Sequence, residues 1–376
     1  MLDNYLAGSV GQLLERAKHL LAAISTQYPP EFRALAQTCR NQVNELIAEF
    51  EALVNDPRYR KPELKALRLR AYSDLVIRLD FIESVGFAAL VRINEEDKKM
   101  TRLVSDIAEE LLFPLPPPVV SCQSHFSSYF HAFPGLNVLR VPLKEGHFLL
   151  HLPDLYHELA HFIIEEKNNP AVQPFQDAHA KATNAATGHL AALLSKPTRG
   201  PKTNEEKYLT WTVSWMRAWS AELFCDLFGV LGVGPAYAWA HLHLCAKTGN
   251  DPFRVETSPD STHPPDEARM FVLLEVLTRL GYAKVASEIE TRWKELITLR
   301  GFKNDPNYQL CFPNEILKQF AEEAHTGYRA MNCRCSSVNS GNRVHDLLNE
   351  AWTKFWSTPG KYADWEKQNS IILASR

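Results

Sequence analysis

Residues 153–167 read PDLYHELAHFIIEEK, and within them His157-Glu158-Leu159-Ala160-His161 forms an H-E-x-x-H. Residues four apart lie on one face of a helix, one turn from each other. Two imidazoles placed in this way have the separation that a single zinc ion needs. Glu158 stands about 100° round the helix from His157, so its carboxylate can reach an attacking water without being a ligand. Pro153 and Asp154 suit a first helical turn, and no Pro or Gly interrupts the run before Pro170. A helix with two incidental histidines would carry the same motif, so a third ligand has to come from elsewhere in the chain.

Downstream, residues 171–195 are Ala-rich and predict a helix, and 196–204 predict a polar loop. Residues 205–230 predict one long helix. One of its faces carries Trp211, Trp215, Trp219, Glu222 and Asp226, at spacings of four, four, three and four. The tryptophans read as core. Two acids continuing the same stripe do not, because a buried carboxylate is costly unless it is paired or bound to a metal. Glu222 is therefore the expected third ligand, with His179, His241 and His243 as the competing candidates. Asp226, one turn on, is the expected orienting partner of a ligand histidine.

The third block is residues 261–269, STHPPDEAR. Ser261 or Thr262 can cap a helix, Pro264 or Pro265 can sit in its first turn, and the acids suit its N-terminus. One reading is simply a good helix start. The other puts His263 at the site as a donor to a developing oxyanion, with Arg269 ordering the turn. The residues leave both open.

Upstream, residues 1–93 read as helices. Leu13, Ala17, Leu20 and Ile24 form one stripe. Phe32, Leu35, Ala36, Cys39, Val43, Leu46, Ile47 and Phe50 form a second. Asp56-Pro57 ends the second helix, and a third begins near Pro62. Short connections predict a small antiparallel bundle, either a recognition or dimerisation module or a cover for the next domain. Residues 94–112 give a further helix, stopped by the Pro-rich 114–118. Val119-Val120 and the run 137–141 (NVLRV) suit strands, and the second is either a sheet edge able to pair with an extended peptide or an ordinary strand.

The chain has 376 residues, which suggests two domains or one large one with appendages. A hydrophobic fraction of 45% fits a globular core. A net charge of −3 implies no nucleic-acid or other polyanion partner. No apolar run reaches the ~18 residues of a membrane span. The N-terminal residues lack a basic start followed by an apolar stretch, so no secretory signal is expected. Seven scattered cysteines fit reduced thiols and a cytoplasmic location. Cys333 and Cys335 with His325 could suggest a second metal. One intervening residue is not the usual zinc spacing, so incidental thiols are expected there.

Together the three blocks resemble the gluzincin metallopeptidases of the CAAX-protein protease and HtpX heat-shock protease type. Members show H-E-x-x-H, then a distant E-x-x-x-D-x-x-G, then a Ser/Thr-His-Pro block ending in Arg. Here these are His157 to His161, Glu222 to Gly229 with Asp226 in place, and Thr262-His263-Pro264 through Arg269. The likeness covers about residues 94–285. It implies His157, His161 and Glu222 as zinc ligands, Glu158 as catalytic base and His263 as a transition-state contact. Those families are commonly membrane-embedded and this chain shows no span, so their substrates are not carried over.

The expected fold is α+β and mainly helical. A zincin-like catalytic domain with a small sheet spans 94–285, between a helical bundle at 1–93 and a helical extension at 286–376. The expected activity is zinc-dependent cleavage of internal bonds in a protein or peptide substrate, with a partner protein or dimer contact through the N-terminal helices. The alternative is an inactive zincin-like scaffold or binding protein with a structural zinc.

Overall fold

The computed structural model describes residues 2–55, 61, 64–124, 129–144, 146, 148–195, 203–256, 262–338, 340–370 and 373. The expected features at Asp56, Pro57, Pro62, Ser261 and most of the 196–204 loop lie outside these. The chain is mostly helical with one small three-stranded sheet, an α+β arrangement. The helices are α1 (Leu2–Ala23), α2 (Arg33–Asn55), α3 (Lys65–Phe81), α4 (Ala88–Val91) and α5 (Glu95–Leu111), followed by strands β1 (Val119–Cys122), β2 (His131–Phe133) and β3 (Val138–Val141). Then come α6 (Asp154–Glu165), α7 (Gln173–Leu194), α8 (Thr203–Ser214), α9 (Ser220–Val233), α10 (Pro235–Thr248) and α11 (Asp266–Arg279). The remainder forms α12 (Ala283–Arg300), α13 (Pro306–Cys311), α14 (Asn314–Ala330), α15 (Arg343–Ser357) and α16 (Tyr362–Asn369). Among the described residues no helix is long and apolar enough to cross a membrane.

Contacts divide the chain into two compact units, residues 1–102 with 118–142, and residues 103–117 with 143–376. The strands thus group with the N-terminal helices, and residues 286–376 group with the helices around His157. This partition differs from the three ranges read in the sequence. Its physical basis is visible in the first unit, where Val119, Leu136 and Val138 are buried in the same cluster as Leu20, Phe32, Cys39, Leu46, Phe50 and Leu79. A π-helical turn at Ile82–Phe87 brings Gly86 against α2, where a Cβ would stand 2.5 Å from Cys39 Sγ. A glycine is the residue that permits that approach.

β3 is the central strand of the sheet, parallel to β1 and antiparallel to β2, so of the two readings left open it is an inner strand and not an edge. The outer side of β1 is closed as well. Val120 N donates to Thr101 Oγ1 at 2.9 Å and Cys122 N to Asp97 Oδ1 at 2.6 Å. Both acceptors sit on α5, whose start is fixed by Asn94 Oδ1 accepting from Glu96 N and Asp97 N while Asp97 accepts from Asn94 N.

In the second unit, α6 and α9 pack closely. α6 is buried nearly all round, with Leu155, Tyr156, Leu159, Ala160, Phe162 and Ile163 in the core. α9 has glycines where it meets its neighbours. A Cβ at Gly229 would lie 3.0 Å from the Tyr237 ring, and one at Gly232 would lie 2.9 Å from Leu111 and 3.0 Å from Tyr156. Gly234 ends α9 at φ +70°, which an L side chain rarely adopts, and Pro235 starts α10. The C-terminal helices belong to this core. Glu110 on α5 accepts from Val344 N at 2.8 Å and His345 N at 3.1 Å, and so caps α15.

Candidate metal centre

The predicted long helix is helical from Thr203 to Val233, but a π turn at Trp215–Trp219 interrupts it, immediately before α9. A π turn is wider than an α turn, so residues spaced by four stay in line across it. Trp211, Trp215 and Trp219 are accordingly all fully buried. Glu222 follows in the first turn of α9 and faces α6.

The two histidines of α6 have ring centroids 5.1 Å apart. Glu222 Oε2 lies 3.3 Å from His157 Nε2, and Glu222 Oε1 lies 3.8 Å from His161 Nε2. A charge-assisted hydrogen bond would be shorter, about 2.7–2.9 Å. Donors bound about 2.0–2.2 Å from one tetrahedral ion lie roughly 3.4 Å from each other. Glu222 Oε2 is buried and has no hydrogen-bond partner. A buried acceptor left unmet in this way, facing imidazole nitrogens at ligand-to-ligand separations, fits a cation among these three side chains.

Asp226 is fully buried and is the hub behind the site. His157 Nδ1 lies 2.9 Å from its Oδ1, and Tyr237 OH donates to the same oxygen at 2.6 Å. Arg269 Nε donates to Oδ2 and Arg269 Nη2 to Oδ1, each at 2.7 Å. The ionised carboxylate only accepts, which assigns the proton of His157 to Nδ1 and leaves Nε2 toward Glu222. Arg269 thus acts on Asp226 and not on its own turn alone.

Burial opposes charge on His157, but the contacts with Asp226 and Glu222 outweigh it and raise the imidazole from 6.5 to about 10. Burial also opposes charge on Glu222, but His157, His263 and His161 hold it down at about 2. Asp226 is pushed up by burial and drawn further down by Arg269 and His157. A proton on His157 and a cation among these donors are therefore competitors.

Glu158 is buried beside His157 on α6, and its charge is felt at Cys225 on α9. Cys225 Sγ also comes within 4.8 Å of one nitrogen each of His157 and His161. Of the two candidates, Glu222 is the stronger donor. Burial and the charges of Glu222, Asp226 and Glu158 push the Cys225 thiol well up, whereas Glu222 is already ionised.

His263 Nε2 reaches Glu222 Oε2 at 3.3 Å, and its side chain is 58% exposed. Thr262 does not cap α11: its hydroxyl lies 2.7 Å from His263 Nδ1, and the residue preceding the helix is Pro265, without a side-chain cap bond. Beside His263 is a cleft of about 350 Å³ lined by Asn250, Asp251, Arg254, Glu256 and residues 262–266. The competing histidines lie elsewhere. His179 contacts Ser220 Oγ at 2.9 Å, His241 contacts Cys245, and His243 stacks on His151. Cys333 Sγ faces the Leu112 carbonyl at 3.9 Å, and among the described residues it joins no metal-sized cluster. Tyr237 has no signature in the sequence, because nothing in its spacing ties it to Asp226 across the Gly234–Pro235 turn. No protein-family model, curated protein or solved structure matches this chain.

Proposed function

We propose that the protein is a zinc-dependent endopeptidase of the gluzincin kind, resembling the CAAX-protein protease and HtpX type in its motifs. The observation that carries the reading is the buried, unpartnered Oε2 of Glu222 at 3.3 Å from the imidazoles of His157 and His263. Zinc held by His157, His161 and Glu222 would polarise a peptide carbonyl and lower the pKa of a water. Glu158 takes the proton of the attacking water and passes it to the leaving amine. Asp226, held by Arg269 and Tyr237, keeps Nε2 of His157 aimed at the site. His263 stands at the cleft, where an Nε2–H can donate to the developing oxyanion.

Cleavage within a chain suits the cleft, because its charged groups have partners of their own. Arg254 pairs with Glu256 at 2.8 Å, Asp251 accepts from Phe253 N at 3.0 Å, and Asp266 lies 4.0 Å from Arg269. Among the described residues that line it, the one arginine pairs with Glu256 and so is not poised to hold a terminal carboxylate. The test strips the purified protein with a chelator, restores zinc, and incubates both forms with host-cell lysate. New internal termini should appear only with the zinc-restored form. Identical termini with and without metal would sink the proposal.

One observation favours a scaffold with a structural zinc. His263 is near enough to Glu222 to serve as a fourth ligand, and a four-ligand site is closed to substrate. His263→Ala separates the two. In an endopeptidase it should retain zinc and lower turnover by about 10²–10³-fold, as loss of one oxyanion donor does. In a closed site it should lower zinc affinity as much as His161→Ala does.

A further inference from the structure

His241, Cys245 and Asp266 form a second cluster of metal-ligating side chains, in which one donor atom from each lies within 4.8 Å of the others. From its geometry we infer a second metal site of the zinc type, with donors His241 Nε2, Cys245 Sγ and an Asp266 carboxylate oxygen. Its donors are separate from those of the first site, and only the count of two ions per chain rests on the endopeptidase reading.

The cluster has the same plan as the first. His241 and Cys245 are four apart on α10, so they share a face one turn apart, as His157 and His161 do on α6. A carboxylate from a second helix, Asp266 at the start of α11, faces them as Glu222 of α9 faces the first pair. His241 Nε2 stands 3.7 Å from Cys245 Sγ and 3.5 Å from the Asp266 carbonyl. For zinc–nitrogen and zinc–sulfur bonds of about 2.0 and 2.3 Å, a tetrahedral N···S edge is about 3.5 Å. Both α10 donors are buried, with 3% of His241 and 7% of Cys245 exposed. Burial pushes the Cys245 thiol well up, so an ion at this site has to displace its proton on binding. Asn250 lines both the cleft that contains Asp266 and a small void against Cys245.

The position gives such an ion a task. Tyr237 lies one turn before His241 on α10, and Arg269 lies nearly one turn after Asp266 on α11. Those two residues both donate to the Asp226 carboxylate. A metal joining α10 to the start of α11 would brace the pair of helices on which the Asp226 hub depends, and with them the turn that presents His263.

Cobalt(II) reports thiolate ligation directly through a near-ultraviolet sulfur-to-metal charge-transfer band, which nitrogen and carboxylate ligands do not give. The experiment loads metal-stripped wild type, Cys245→Ser, Cys225→Ser, Asp266→Asn and His157→Ala with cobalt, and checks each fold by circular dichroism. Wild type should bind about two ions per chain and show the band. Cys245→Ser should lose both the band and one ion, and Asp266→Asn should weaken that site while remaining folded. His157→Ala should lose one ion and keep the band, which marks the site as distinct from the first. Saturated wild type with no thiolate band would overturn the inference, with Cys245 then explained as a thiol hydrogen-bonded in the core. A band that survives in Cys245→Ser and disappears in Cys225→Ser would also overturn it, because the thiolate would then belong to the first site.

Discussion

Glu158→Gln should keep its full complement of zinc and lose about 10²–10⁴-fold in the rate of peptide hydrolysis, the range spanned by general acid–base catalysis. The glutamine has the same shape and fits the same buried position beside His157, so little repacking is expected. It cannot take a proton from the attacking water, and that is the role assigned to Glu158. The metal should stay because the donors that converge are His157, His161 and Glu222, with Glu222 held ionised by the imidazoles around it. Metal analysis alongside turnover on a peptide found to be cut by wild type separates the outcomes. If zinc is lost with the rate, Glu158 is a ligand and the site has been misassigned. If the rate is unchanged, the base lies elsewhere.

The parts of this site that were legible in the sequence are those fixed by the period of one helix. The His157 and His161 pair, and Asp226 one turn beyond Glu222, follow from the spacing of residues four apart on an α-helix. The helical stripe of α2 was readable for the same reason, since its apolar residues recur at the helical period through buried positions. What was not legible depends on contacts between elements. The π turn at Trp215–Trp219 inserts extra width that no residue type announces, although the four-spaced tryptophans are consistent with it. Whether the run at Val138–Val141 is an edge or an inner strand stays open in the sequence, because nothing local shows that two other strands flank it. Thr262 looked like a helix cap because threonine favours that role, but its hydroxyl is taken by His263 and the helix begins after Pro265. Tyr237 and the bidentate grip of Arg269 on Asp226 join residues 11 and 43 positions apart, a range at which sequence spacing carries no geometric information.

Arg269→Met should destabilise the folded protein by about 3–5 kcal/mol, the usual consequence of removing one partner of a buried ion pair. Asp226 has no exposure to water, and Arg269 supplies it with two hydrogen bonds at 2.7 Å and the largest opposing charge. Without the guanidinium, the remaining support comes from Tyr237 and from His157, and His157 is also wanted by the metal. The variant should therefore bind zinc less tightly as well as unfold more readily, because a protonated His157 becomes the main counter-charge of Asp226. Arg269→Lys should recover only part of the loss, since a single ammonium cannot reproduce the paired bonds of a planar guanidinium. The double variant Asp226→Asn with Arg269→Met should be more stable than Arg269→Met alone, because the stranded charge is gone, while its zinc affinity stays low for want of a carboxylate behind His157. Denaturant midpoints with and without zinc measure both quantities on the same four proteins. A loss under about 1 kcal/mol in Arg269→Met would place this pair among weak surface contacts and remove Asp226 as the hub of the site.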